Sequence, residues 1–112
     1  MIEYLNILSN RYQIEWLENQ TEGAWGYCYP DRRELQVAKR ERMKDFEATT
    51  LVHEVFHGIV AEYLRSEEKL GEEEYVSMLS DGFCKVLKDN PYLFEYLKEC
   101  LKYPDSESPT NN

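Results

Sequence analysis

The stretch that decides how this chain is read is residues 51–60, LVHEVFHGIV. Leu51, Val52, Val55, Phe56, Ile59 and Val60 recur at three and four, and Tyr63 and Leu64 continue the series. That is the period of a helix with one apolar face, and it predicts a helix ending near Arg65. At the border of the face stand His53, Glu54 and His57, and the chain has no other histidine. Residues four apart lie one helical turn above each other, so the two imidazoles can serve one tetrahedral metal. Glu54 follows the first ligand and can reach an attacking water as general base, the mechanical meaning of an H-E-x-x-H spacing. The competing reading is two partly buried helix histidines beside a surface carboxylate.

Working outward towards the N-terminus, the period changes to two. Tyr12, Ile14 and Trp16 alternate with polar neighbours, as a half-buried strand requires. Ser9-Asn10 reads as a tight turn before it, and NQTEGAW as a loop after it. GYCYPDRRELQVAK then reads as a second hairpin, with Pro30-Asp31 at the turn and Leu35 and Val37 on one face of the returning strand. The basic run Lys39, Arg40, Arg42, Lys44 is interrupted by Glu41 and reads as a solvated loop. Asp45 is the expected N-cap of the long helix, and Glu47 suits the positive end of its dipole.

Towards the C-terminus, SEEKL reads as a charged loop and a second helix opens at Gly71. Leu70 and Tyr75 occupy hydrophobic-staple positions and Glu74 the third position of a capping box. Val76, Leu79, Phe83, Val86 and Leu87 form its expected buried stripe, and Asn90-Pro91 its stop. A third helix is expected from about residue 92 to 102. YPDSESPTNN has no core residues and reads as a tail. The expectation is therefore one domain over residues 1–102, with 103–112 outside it.

The 112 residues carry a net charge of −9, which argues against a phosphate-backbone partner. No run approaches the roughly 20 apolar residues of a membrane span, and MIEYLNIL lacks the features of a secretory signal. Three cysteines (Cys28, Cys84 and Cys100) form no C-x-x-C pair and suit a reducing cytoplasm. Cys84 is expected in the core. Cys28 reads as a half-buried cysteine, with ligation of a soft metal as the alternative.

An open zinc site needs a third protein ligand. No third histidine exists, which leaves the carboxylates of GEEEYV. Glu72 and Glu73 precede Val76 by four and three, so both can turn towards a buried side; Glu74 turns away into its capping box. The spacing favours Glu73, with Glu72 next, although acidic residues also simply suit a helix N-terminus. Asp81 is a candidate to orient a ligating histidine. A tyrosine, Tyr63 or one in the hairpins, is a candidate oxyanion stabiliser, with packing as the default.

TTLVHEVFHGIV (residues 49–60) and EEYVSMLSDGFCKVLKDNP (residues 73–91) resemble the small phage- and bacterium-encoded gluzincin-like metallopeptidases, broadly similar to the ImmA/IrrE group of minimal zincins. In that pattern a glutamate stands three before a valine, as Glu73 does before Val76, and the second helix closes on lysine-aspartate-asparagine, here Lys88, Asp89 and Asn90. GYCYPDRRELQVA is similar to the family's glycine-cysteine turn and edge strand. The resemblance implies an α+β minimal zincin-like domain: a small antiparallel sheet, the H-E-x-x-H helix, a glutamate-bearing helix and a C-terminal helix. It implies zinc on His53, His57 and Glu73, with Glu54 as base and then acid. It further implies an extended peptide bound along an edge strand, expected at residues 35–39, and a regulatory, repressor-type protein as substrate. The alternative function is an inactive metal-binding module that docks to a protein partner.

Overall fold

The computed structural model describes residues 1–18, 25–64 and 69–102. The expected loop at 19–24, most of SEEKL and the expected tail lie outside them. Four strands, β1 (Tyr4–Ile7), β2 (Asn10–Leu17), β3 (Gly26–Tyr29) and β4 (Glu34–Ala38), precede three helices. These are α1 (Lys44–Tyr63), α2 (Glu72–Asp89) and α3 (Pro91–Leu101). The chain is thus α+β, with the helices following the sheet in sequence. No helix of the described residues is long and apolar enough to cross a membrane.

The sheet has the order β1-β2-β4-β3 and is mixed, which corrects the antiparallel sheet expected from the hairpins. β1 and β2 pair antiparallel, as do β3 and β4, but β2 and β4 run parallel, with Ile14 opposite Leu35 and Trp16 opposite Val37. The second hairpin therefore enters the sheet by its returning strand. Burial gives the physical reason: Leu35, Val37 and Ala38 are all buried and suit a central position, whereas Tyr27 is 42% exposed and belongs at an edge. The strand at residues 35–39 is consequently paired on both sides, and among the described residues the outer strand of this hairpin is β3.

The turns carry backbone detail that the residue types conceal. Leu8 and Ser9 both adopt positive φ (50° and 72°), so the first turn lies one residue earlier than expected and Asn10 already pairs with Ile7. Two positive φ values match the right-handed twist of a two-residue hairpin. The second turn is as expected, with Arg32 and Arg33 amides donating to Tyr29 and Pro30 carbonyls.

α1 lies across the sheet and buries Leu51, Val55 and Ile59 against Leu5, Ile7, Tyr12, Leu35 and Val37. Each such side chain contributes about 1.5–3 kcal/mol. The close approach occurs at Gly58, where a Cβ would stand 2.9 Å from Ile7 Cδ1. The helix is preceded by Met43 rather than capped by Asp45, which sits in the first turn. Glu47 is fully buried there and accepts hydrogen bonds from the Arg40 amide (2.7 Å), Lys44 Nζ (3.3 Å) and Tyr96 Oη (2.6 Å). A buried carboxylate needs such donors.

α2 packs through Met78, Gly82 and Val86, a line rotated from the expected stripe, and Val76 is 53% exposed. Gly82 explains the rotation: a Cβ there would stand 2.6 Å from Ile59 Cγ2, so α2 meets α1 at its glycine. Leu79, Phe83 and Leu87 flank this line, half-buried. Cys84 is exposed rather than in the core; Cys100 is the buried cysteine. Asn90 closes α2 as expected and is fully buried, its amide spanning Val86 O (2.7 Å) and the N and O of Asn6 on β1 (2.9 and 2.8 Å).

Candidate functional site

His53 and His57 project from α1 on its exposed side, one turn apart. Their Nε2 atoms are 3.2 Å from each other. Two imidazole nitrogens bound at about 2.0–2.1 Å to a tetrahedral metal stand about 3.3–3.4 Å apart, so the separation of the pair is close to that of two ligand positions. The same separation also allows one ring N–H to donate to the other ring.

Glu54 lies on the flank of α1 that faces β3. It is only 5% exposed, and no hydrogen-bond donor among the described residues reaches its carboxylate. Burial raises its pKa, and the electrostatic influence of His53 and His57 acts in the opposite direction. Neither Glu54 oxygen is among the fully buried, unpartnered side-chain atoms, so the carboxylate head reaches the surface of the site while the rest of the side chain is covered.

The strand opposite is held close by a missing side chain. A Cβ on Gly26 would lie 2.7 Å from the Gln36 carbonyl oxygen, 2.9 Å from Thr50 Cγ2 and 3.1 Å from Glu54 Oε2. Only glycine lets the β3 backbone press onto the helix at the level of Glu54. Sequence reasoning placed Gly26 in a hairpin but assigned it no role, although a glycine within a strand pattern signals close backbone approach.

A cavity of about 490 Å³ opens beyond this contact, lined by Cys28 and Pro30 from the hairpin and by His53, Glu54, His57 and Ala61 from the helix. Cys28 shares the cavity with the histidines. Burial, then the Glu54 and Glu62 carboxylates, push its thiol up to about 11, so it is protonated at neutral pH.

Glu73 stands elsewhere. It lines a separate cavity of about 480 Å³ with Tyr63, Leu70, Glu74, Ser77 and Asp81. The antiparallel packing explains this: Gly82 meets Ile59, and Phe83 meets Phe56 at 5.2 Å between ring centroids. Glu73 precedes Gly82 by nine residues, about 13 Å of helix rise, towards the Tyr63 end of α1. The spacing argument for Glu73 and Glu72 required a buried Val76, and Val76 is exposed, as are both glutamates. Asp81 goes to the Glu73 cavity and not to the histidines. Glu74 folds back on Gly71, its Oε1 2.7 Å from where a Cβ would be, but no side-chain hydrogen bond caps the helix there, so the expected capping box is not formed. Among the described residues, no three His, Cys, Asp or Glu side chains are grouped so as to hold a metal ion.

Comparison with protein-family models, with characterised proteins and with solved structures returns no match.

Proposed function

We propose that this chain is a zinc-dependent metallopeptidase of minimal zincin type, acting in the cytoplasm on a specific protein or peptide. The observation that carries the reading is the pair of imidazole nitrogens 3.2 Å apart, with the carboxylate of the largely covered Glu54 beside them in the same cavity. His53 and His57 would hold the metal, and the resemblance supplies Glu73 as the third ligand. Bound there, zinc would polarise a peptide carbonyl and make water a better nucleophile near neutral pH. Glu54 takes the proton of the attacking water and passes it to the departing amine. Partial burial, which raises its pKa, favours holding that proton between the two events. The free edge of β3 offers backbone groups to an extended substrate and lies alongside His53 and Glu54, a better docking edge than the doubly paired β4. By resemblance, a repressor-type regulator is the proposed substrate class.

A second reading, a metal-binding or metal-free module acting by docking, is favoured by the distance of Glu73 from the histidines. Glu54→Gln separates the two, since only hydrolysis needs the base. In the peptidase reading, purified protein carries about one zinc per chain, lost on His53→Ala and on Glu73→Ala but kept on Glu72→Ala and Glu74→Ala. Glu54→Gln then keeps the metal and loses cleavage. Identical behaviour of zinc-loaded wild type and Glu54→Gln in every cleavage assay refutes the peptidase and leaves the docking module.

A further inference from the structure

A cavity of about 660 Å³ lies away from the histidines, between residues 1–4 and α3. Ile2, Glu3 and Tyr4 form one side of it. Tyr92, Glu95, Tyr96 and Glu99 form the other, at the three- and four-residue spacing of one helix face. β1 and β3 are the two outer strands of the sheet, with β2 and β4 between them, so this cavity and the histidine site sit at opposite borders.

We infer that this cavity receives the arginine side chain of a basic protein partner. The inference goes beyond the peptidase reading and does not rest on it: the same contact serves a chain that cuts its partner and one that only docks.

The walls offer tyrosine rings rather than tyrosine hydroxyls. Tyr92 Oη is engaged with the Tyr4 carbonyl (3.3 Å) and Asn90 Oδ1 (3.2 Å), and Tyr96 Oη donates to Glu47 at 2.6 Å. What is left for a ligand is π-surface, which attracts a cation to its face and covers the apolar stem of a long basic side chain. This molecule already makes that contact twice. The Arg11 guanidinium lies 4.1 Å from the ring centroid of Tyr4, itself a wall of the cavity, and Arg32 lies at the same distance over Tyr29.

The mouth carries the opposite charge to such a ligand. Glu3, Glu95 and Glu99 are exposed there, and no lysine or arginine lines the cavity. Glu95 and Glu99 do meet Lys98 (3.8 Å) and Lys102 (3.0 Å), but these are exposed pairs of one helical turn, which contribute little and exchange readily. With a net charge of −9 on the whole chain, a basic partner is drawn in from a distance before it docks. An apolar occupant would leave the carboxylates idle. A guanidinium uses both features, because its plane stacks on rings while its edge offers several donors to carboxylates.

The walls are also held before a ligand arrives. Trp16 Nε1 donates to the Ile2 carbonyl at 2.7 Å and the Ile14 amide to the Glu3 carbonyl at 2.9 Å, which fixes the first side. On the second, Tyr92 meets Tyr4 edge-on at 6.3 Å between centroids and Tyr96 lies against Trp16 at 6.0 Å. Preordered walls lose little freedom on binding.

The test is a titration of the full ¹⁵N-labelled chain with N-acetyl-arginine methylamide, followed by its backbone amide signals. Those of Tyr4, Tyr92 and Tyr96 should move saturably, while Gly58 on the histidine helix stays in place. The citrulline analogue has the same shape without the charge and should bind roughly tenfold more weakly or worse. Glu95→Gln combined with Glu99→Gln, at exposed helix positions, should weaken arginine binding several-fold and leave the urea unfolding midpoint near that of wild type. Tyr92→Leu should weaken it while Tyr92→Phe, which keeps the ring, should not. Equal binding of the citrulline analogue overturns the inference, as does binding untouched by the double glutamine variant. Shifts spread over the acidic surface without saturation, or no shift at all, overturn it too. A lysine analogue that binds as tightly as arginine overturns the assignment to a guanidinium.

Discussion

Replacing Gly26 by alanine puts one methyl into the tightest contact of the site. The new carbon would lie 2.7 Å from the Gln36 carbonyl oxygen, 2.9 Å from Thr50 Cγ2 and 3.1 Å from Glu54 Oε2. The two side chains can each give a few tenths of an ångström. The carbonyl cannot, because β4 is paired to β2 on one side and β3 on the other. The strand must therefore move off the helix, an overpacking cost of about 1–3 kcal/mol. Losing glycine's backbone freedom in the unfolded chain returns about 0.5–1 kcal/mol. The net expectation is a loss of about 1–2 kcal/mol, at roughly 4–8 °C in Tm per kcal/mol for a chain near this size. Gly58→Ala is the internal comparison. There the clash is with Ile7 Cδ1, the free tip of a side chain, and alanine gains about 1 kcal/mol of helix propensity. Urea and thermal unfolding of both variants should give a clear loss at residue 26 and little change at residue 58. If the proposed peptidase reading holds, zinc binding should survive Gly26→Ala, since α1 carries both histidines, while peptide cleavage falls as β3 retreats from Glu54. Equal stability of Gly26→Ala and wild type, within about 0.5 kcal/mol, would refute the claim that glycine sets the strand–helix distance.

Two further outcomes follow from buried polar groups. Because burial raises the pKa of Glu54, the folded metal-free chain holds that proton to higher pH than the unfolded chain. Its contribution to stability is then fully present below the unfolded value, near 4.5, and is lost as pH rises through the folded value. Glu54→Gln should flatten that part of the pH–stability profile in metal-free protein and raise stability at neutral pH; an unchanged profile argues that Glu54 is solvated after all. Asn90→Ala removes hydrogen bonds to Asn6 N, Asn6 O and Val86 O and should cost about 2–4 kcal/mol in urea unfolding. A loss under about 1 kcal/mol would mean that water replaces the amide there.

The helices were legible because their periods are strong: residues 51–60 specify a helix face, and Asn90-Pro91 a stop. The strand order was not, since hairpin patterns define local pairs but say nothing about which strand of the second hairpin joins the first. Burial on both faces of β4, visible only as Leu35, Val37 and Ala38 in close succession, was the available hint. The orientation of α2 escaped for a related reason. A stripe drawn through the large residues Val76, Leu79 and Phe83 misses a contact made by Gly82, and an error of that size in helix rotation is enough to turn Glu73 from inward to outward. His53, Glu54 and His57 were readable because a single helix holds all three, whereas the walls around them, Trp25 and Gly26, come from the entry to a strand whose placement depends on the whole sheet. Arg40, expected in solvent with its basic neighbours, instead lies over Trp25.

Asn90 has a consequence beyond stability. A sheet has two rims, and a bare rim recruits any extended chain that drifts past, including a copy of itself. On the β1 rim, the outward amide and carbonyl of Asn6 are already engaged by the Asn90 amide, and the Tyr4 carbonyl accepts from Tyr92 Oη at 3.3 Å. A helix-terminating residue thus acts as a one-residue stand-in for a fifth strand, and that rim is closed to newcomers. The remaining rim is β3, four residues long and beside the histidines. Among the described residues, strand recruitment is thereby left to the border where a recruited chain would meet Glu54.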